Sequence, residues 1–308
     1  MKAMTSRVVE GLPAEQYHSS LGLSSTVLKA YGASAEKGKA QEDGLITIGE
    51  KTREFGEQFH AATLEPAHFD LRYIAKPLTY PAPADYAKVK GTKNKPPTMK
   101  EGDPLPWNGN AGICEEWEKA QTRNVISADD YAAFKGMGQA LQNDERMGPF
   151  MRAKGRYELS LFAELDGVPV RARLDKLIDG GPIVDLKSTV SAEPFAFTRQ
   201  MIKLRYHVQA FWYSRVLELC GIPFNGFVFG AVEKKPPYAV LCCELDDAAF
   251  NKGREEGERL FELYRKCHRE KKWPGYVSQK IPYQIQYPRW ALEMQNPAEQ
   301  IIYELEEN

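Results

Sequence analysis

The sequence predicts a mixed α/β fold, a central β-sheet flanked by helices, in one principal domain. Three observations predict it. Residues 157–189 read as three consecutive strands separated by two Gly-containing turns. Segments with helical spacing of apolar residues, 49–64 and 204–219, lie on either side of that block. A further strand pair and a long charged helix follow it. At 308 residues with 43% apolar side chains, the chain can bury a substantial core.

Taken in order, residues 1–20 are expected to be a loose lead-in, 21–280 the single domain, and 281–308 a tail. Ser24 or Ser25 caps a short helix that runs through Tyr31. From Gly49 to Leu64, Phe55, Phe59 and Ala62 form an apolar stripe, with Gly56 and His60 one turn apart on an adjoining face. Residues 76–110 are rich in Pro, Lys and Gly and read as a long flexible insertion. Ser127 begins a helix to about Asn143 that carries Tyr131, Phe134 and Leu141 on one face. Strands at 226–232 and 239–245 are joined through Lys234-Lys-Pro-Pro237, and a helix runs from about Asp247 to Glu270.

The central block carries the chemistry. Tyr157 to Leu165 alternates, Asp166-Gly167 turns, Val168 to Ile178 alternates again, Asp179-Gly180-Gly181 turns, and Pro182 to Thr189 forms a third apolar run. Alternation puts Ile183, Asp185 and Lys187 on one face of the third strand, and Val184 and Leu186 on the other. Asp175 shares a face with Arg171 and Arg173. Pairing across the second turn brings Asp175 and Asp185 within reach of one ion. An isolated Asp-x-Lys is ordinarily solvated surface; here both groups lie on an apolar strand, with a second Asp opposite. Carboxylates that hold a divalent ion, beside a Lys that orients water and neutralises charge, suit hydrolysis of a phosphodiester.

Asp175-x9-Asp185-Leu-Lys187 resembles the PD-(D/E)xK nuclease signature, with Asp in place of the commoner Glu. The surrounding chain is similar to the exonuclease VIII (RecE-type) family found in prophages. The segments Leu23-Ser-Ser-Thr-Val-Leu-Lys29, Gly56-Glu-Gln-Phe-His60, Tyr157-Glu158, Arg173-Leu-Asp175, Val184-Asp-Leu-Lys-Ser188, Tyr206-His-Val-Gln209 to Tyr213, Val232 to Tyr238 and Lys272-Trp-Pro-Gly-Tyr276 come in that family's order. The resemblance implies a restriction-endonuclease-like core with Asp175, Asp185 and Lys187 catalytic. It implies metal ligation by His60, Asp175 and Asp185, and by Glu158 last. Glu164 and Asp166 flank a hairpin turn and are expected to face solvent.

By the same resemblance Gln209 and Tyr213 sit beside the active site. With Arg205 they fall at i, i+4, i+8 along the helix expected from Leu204 to Leu219, and Arg205 is assigned to DNA on that spacing. A 5′-phosphate pocket is a role open to Ser24, Ser25 and Lys29, with helix caps as the plain alternative for the two serines. The family likeness implies 5′ to 3′ degradation of linear double-stranded DNA that leaves 3′ single-stranded overhangs for recombination. It further implies Mg²⁺, with Mn²⁺ able to substitute, a trimeric or tetrameric ring, a single-strand annealing partner, and a bacterial or phage-encoded cytoplasmic protein. A nuclease of other polarity, a single-strand or structure-specific nuclease, and a catalytically silent DNA-binding protein are the competing readings.

Net charge is −1, so DNA binding cannot rest on global charge and needs local patches. Candidates are Lys88, Lys90, Lys93, Lys95 and Lys100, then Arg199, Lys203 and Arg205, then 265–272. Cys114, Cys220, Cys242, Cys243 and Cys267 form no CxxC pair, which points to a reducing compartment and away from an iron–sulfur cluster. No signal peptide or membrane span is expected.

Overall fold

The computed structural model describes residues 6–46, 49–83 and 101–277, with isolated positions at 282, 284–286 and 289. The strands are β1 (Arg7–Val9), β2 (Tyr73–Ala75), β3 (Thr79–Pro81), β4 (Pro104–Pro106), β5 (Asn124–Ile126), β6 (Gly155–Leu165), β7 (Val168–Ile178), β8 (Ile183–Thr189), β9 (Phe227–Glu233) and β10 (Val240–Glu244). The helices are α1 (Ala14–Ser19), α2 (Ser25–Tyr31), α3 (Ala35–Glu42), α4 (Glu50–Leu64), α5 (Pro66–Arg72), α6 (Gly112–Lys119), α7 (Ala128–Asn143), α8 (Met147–Arg152), α9 (Pro194–Lys203), α10 (Tyr206–Leu219) and α11 (Asp247–Glu270). None of the described helices is long and apolar enough to cross a membrane.

A six-stranded sheet in the order β1-β6-β7-β8-β9-β10 forms the centre. Its strands pair antiparallel except β8 with β9. That parallel pair requires a crossover, and α9 with α10 supplies it. Helices cover both faces. Leu28 of α2, Val208 and Trp212 of α10 and Leu260 of α11 build one core with Leu159, Leu174 and Phe229. Phe59 of α4, Phe134 and Leu141 of α7 and Met147 of α8 build the other with Val184, Leu186 and Val228. Ile183 falls in the first core while Val184 and Leu186 fall in the second, the alternation expected for β8.

The two long strands depart from alternation at one point. Leu159, Leu161 and Ala163 lie in the α10-side core, yet Tyr157 packs on the α4 side. Residues two apart in a regular strand share a face. Glu158, at φ 48°, turns the strand over between them. Across the ladder, Leu174 faces the α10 side, while Lys176 donates to the carbonyls of Phe150 at 2.9 Å and Met151 at 2.7 Å in α8. A left-handed conformation costs a non-Gly residue on the order of 1–3 kcal/mol and persists where its surroundings over-determine it.

Three expectations are corrected. The lead-in is ordered: β1 extends the sheet edge, and buried Tyr17 of α1 lies under the Arg171 and Arg173 guanidinium groups. A three-residue strand is too short to show a period. The insertion at 76–110 contains an antiparallel pair, β3 with β4, whose Pro residues suit an edge ladder; residues 84–100, with the five lysines, lie outside the described residues, as does almost all of the tail at 281–308. Finally, the helix expected from Leu204 is broken. Arg205 sits in the left-handed region at φ 52°, α10 starts at Tyr206, and Leu204 is exposed.

Close approach of α10 and α11 fixes the crossover. A Cβ on Gly253 would come within 2.3 Å of the His207 carbonyl oxygen, and one on Gly257 within 2.5 Å of the Phe211 ring. Gly253→Ala is expected to destabilise by about 1–3 kcal/mol through overpacking. In a chain of this size that lowers Tm by roughly 2–4 °C per kcal/mol. A thermal melt superimposable on wild type would show that this contact does not set the spacing.

Candidate active site

The site begins where β7 and β8 part. Their last antiparallel pair is Lys176 with Val184; one further step in register would set Asp175 opposite Asp185, and a second would set Leu174 opposite Leu186. The ladder does not continue there. The Leu186 N–H donates to the Asp175 carboxylate at 2.7 Å, and the Leu186 carbonyl lies 3.3 Å from His60 Nε2. Two side chains thus satisfy the backbone groups that a longer ladder would have used.

His60 comes from the last turns of α4. Its Nδ1 is 3.5 Å from Asp175 and 3.7 Å from Glu158. A carbonyl can only accept, so Nε2 carries a proton and Nδ1 faces the two carboxylates: protonated, it donates to them, and deprotonated, it would offer its lone pair to a cation. Glu158 also pairs with Arg173. The left-handed turn at Glu158 aims this carboxylate at Asp175. Among the described residues, His60, Glu158 and Asp175 form the group whose donor atoms all lie within 4.8 Å of one another.

Burial works against charge throughout the cluster, and the neighbours decide the outcome. Burial first, then repulsion from Asp185 and Glu158, raise Asp175 to about 6 despite His60 and Lys187. Burial would lower His60, but the Asp175 and Glu158 carboxylates override it and raise the ring to about 9. Glu158 is held below the usual range: burial opposes this, and His60 and Arg173 outweigh it. The trio therefore shares a proton that a cation can replace. Two hard carboxylates and one imidazole suit Mg²⁺ or Mn²⁺, the imidazole favouring the latter.

Asp185 adjoins the trio but is not one of its mutually close donors. Its Oδ1 accepts from Gln209 Nε2 at 2.8 Å, and its Oδ2 pairs with Lys187. Lys187 Nζ stands 4.9 Å from the Tyr206 ring centroid. Burial lowers the Lys187 pKa, but Asp185 and Asp175 outweigh it and raise it, so the ammonium keeps its proton. Gln209 links this pair to Lys29, whose Nζ donates to Gln209 Oε1 at 3.3 Å. Burial, then the Lys187 charge, drops Lys29 to about 7. One turn earlier on α2 and one turn later on α10, the Ser25 side chain hydrogen-bonds Tyr213, whose pKa burial and Asp185 push well above its ordinary value. Ser25 and Lys29 of α2 thus face Tyr213 and Gln209 of α10 as two rungs.

Nine of the ten residues expected at the site (His60, Glu158, Asp175, Asp185, Lys187, Gln209, Tyr213, Ser25 and Lys29) come together in this way. Arg205 does not: its guanidinium pairs with Glu256 at 2.7 Å and donates to the Gly32 carbonyl at 2.9 Å, pinning the start of α10. The i, i+4, i+8 reading fails because Arg205 is not helical. Ser24, not Ser25, is the cap of α2, its hydroxyl accepting from the Val27 N–H at 3.4 Å. Tyr206, under both lysines, was missed; its place three residues before Gln209 on the same helix was the available signal.

Residues 24–287 match the model of a PDDEXK-like domain of unknown function, DUF3799. The chain belongs to that family. This PDDEXK-like chain is also similar to the crystal structure of a candidate exonuclease from Eubacterium rectale. The TM-score is 0.54 at 12% identity, over 92% of this chain and 99% of that one. The likeness is one of fold, and it bears out the mixed sheet flanked by helices. No curated protein matches the sequence.

His60→Ala removes the imidazole donor and leaves the carboxylates. It is expected to weaken Mn²⁺ binding by roughly tenfold or more, measured by titration calorimetry on the folded protein. Unchanged affinity would place the ion elsewhere.

Proposed function

We propose that this chain is a divalent-metal-dependent deoxyribonuclease that degrades linear double-stranded DNA from its ends. One observation carries the reading: a metal-suited trio, His60, Glu158 and Asp175, adjoins the Asp185–Lys187 pair at the point where two strands part. Membership of a PDDEXK-like family and the fold shared with a candidate exonuclease support it.

When bound, a divalent cation supplies charge to polarise the phosphoryl group and lowers the pKa of water. His60, Glu158 and Asp175 would hold it. Lys187 keeps a proton and offers its ammonium to the negative charge that builds on the phosphate oxygens. Asp185 and the Tyr206 ring fix that ammonium in place, and Gln209 holds the Asp185 carboxylate by a second hydrogen bond. Half-buried Lys29, its pKa lowered to about 7 and its partner a neutral amide, is suited to gain a proton and pair with an incoming phosphate. We assign it, with Ser25, to the terminal 5′-phosphate.

The finer reading rests on the resemblance to the RecE-type exonucleases. It comprises 5′ to 3′ polarity, 3′ overhangs for recombination, Mg²⁺ as the working ion, a homo-oligomeric ring and a single-strand annealing partner.

Asp185→Ala and Lys187→Ala are each expected to cut the hydrolysis rate by on the order of 10²-fold or more, with DNA binding retained. The assay is a time course on linear duplex labelled at each end, with Mg²⁺ and with EDTA. Near-wild-type rates in both variants would remove the site assignment, and cleavage of closed circular DNA would overturn end dependence. Lys29→Ala should slow 5′-phosphorylated duplex more than 5′-hydroxyl duplex; equal loss on both would sink the pocket.

A further inference from the structure

Beside the site, β8 runs on from Lys187 into Ser188 and Thr189, which floor an open cleft of about 430 Å³. Val190, Arg199, Lys203, Leu204 and Lys234 line its walls. Among the described residues, none of Arg199, Lys203 and Lys234 forms a direct salt bridge; the Arg199 charge acts on Glu193, and Lys234 Nζ lies 4.5 Å from the Phe55 ring centroid. The outer face of α9 carries Phe195, Arg199, Ile202 and Lys203, at i, i+4, i+7 and i+8, so that apolar and cationic side chains interleave. The apolar members are well exposed: Phe195 is 78% accessible, Ile202 64% and Val190 89%.

The floor of the cleft is wired to the catalytic lysine. The Thr189 hydroxyl donates to Gln200 Oε1 at 2.9 Å, and Gln200 Nε2 donates to the Tyr206 hydroxyl at 3.4 Å. The Tyr206 ring carries the Lys187 ammonium. Whatever lies in the cleft therefore lies next to the bond that Lys187 serves.

From this we infer that the α9 cleft binds a single-stranded stretch of DNA adjoining the scissile phosphate, its phosphates on Arg199, Lys203 and Lys234 and its bases against Val190 in the cleft and against Phe195 and Ile202 on the exposed face of α9 beside it. The inference rests on the nuclease reading for the identity of the polymer. Charge complementarity favours nucleic acid over a protein partner, because three cations held in no direct salt bridge border the apolar surface, with Glu193 a nearby carboxylate of Arg199. Size favours one strand over two: the volume is that of a small-molecule cleft, and apolar side chains can meet base faces only where bases are unpaired. The sequence singled out Arg199 and Lys203 as a basic patch; the fold exchanges Arg205 for Lys234 and adds the apolar half.

The test is fluorescence anisotropy with a short labelled single strand and with a blunt duplex, in EDTA so that nothing is cut. The proteins are wild type, Arg199→Ala/Lys203→Ala, Phe195→Ser/Ile202→Ser, and a control, Lys119→Ala/Lys154→Ala. The cleft variants are expected to bind the single strand about tenfold more weakly, with a smaller loss on blunt duplex. For the charge variant, the slope of log K against log salt should fall by about 1.4, two contacts at roughly 0.7 each. Affinity and slope equal to wild type would overturn the proposal. So would an altered oligomeric state by light scattering with DNA binding intact, which would make the cleft a protein interface. Hydrolysis of bis(p-nitrophenyl) phosphate with Mn²⁺ separates the two readings, since that ester needs the site but not the cleft. It should stay within roughly twofold of wild type in the cleft variants, as for other surface changes. Failure of wild type to hydrolyse either DNA or the ester would remove the nuclease reading, while the binding comparison in EDTA would still judge the cleft.

Discussion

The site depends on the β7–β8 ladder ending after Lys176 and Val184. A continued ladder would pair Leu174 with Leu186 and leave no room between the strands. Instead the Leu186 N–H goes to Asp175 and its carbonyl faces His60, so one backbone residue orients two of the three metal-suited donors. The left-handed turn at Glu158 belongs to the same event. It turns β6 over opposite Asp175, sends Tyr157 to the other core, and aims the third donor inward.

Electrostatics then holds the opening together. Three carboxylates lie close to His60, Lys187, Lys29 and Arg173, all with restricted access to water, where charges interact far more strongly than at a surface. Removing one member leaves a buried charge without its partner, which costs more than the pair contributes. This explains why the groups form one connected network from Arg173 through Glu158, His60 and Asp175, and through Asp185 and Gln209 to Lys29. Tyr206 stiffens it from below, with both lysines over its ring.

The crossover helices set the far wall. α9 and α10 are forced by the parallel β8–β9 pair, and α11 clamps α10 through Gly253 and Gly257. Arg205, bound to Glu256 and Gly32, ends one helix and starts the next. The same break leaves the outer face of α9 uncovered beside Lys187, so a structural joint at the crossover also shapes the surface next to the chemistry.

Local patterns in the chain specify the three central strands, the long helices α4, α7 and α11, the facing of Asp185 and Lys187, and the placing of Asp175 across the turn. These follow from local rules: period 2, period 3.6, turn glycines and caps. Resemblance added His60, Gln209 and Tyr213 and ranked Glu158, already in the central block, last among the ligands; spacing alone could not bring His60 to Glu158 across the 98 residues from 60 to 158. That Glu158 joins His60 and Asp175 while Asp185 turns to Lys187 and Gln209 emerges from the folded chain, because strand reversal at a positive φ breaks the alternation that a sequence reading assumes. Folding likewise makes Arg205 a joint and turns Ser25 and Lys29 toward the site. Both outcomes depend on which helices meet, and long-range contact leaves no period in the chain.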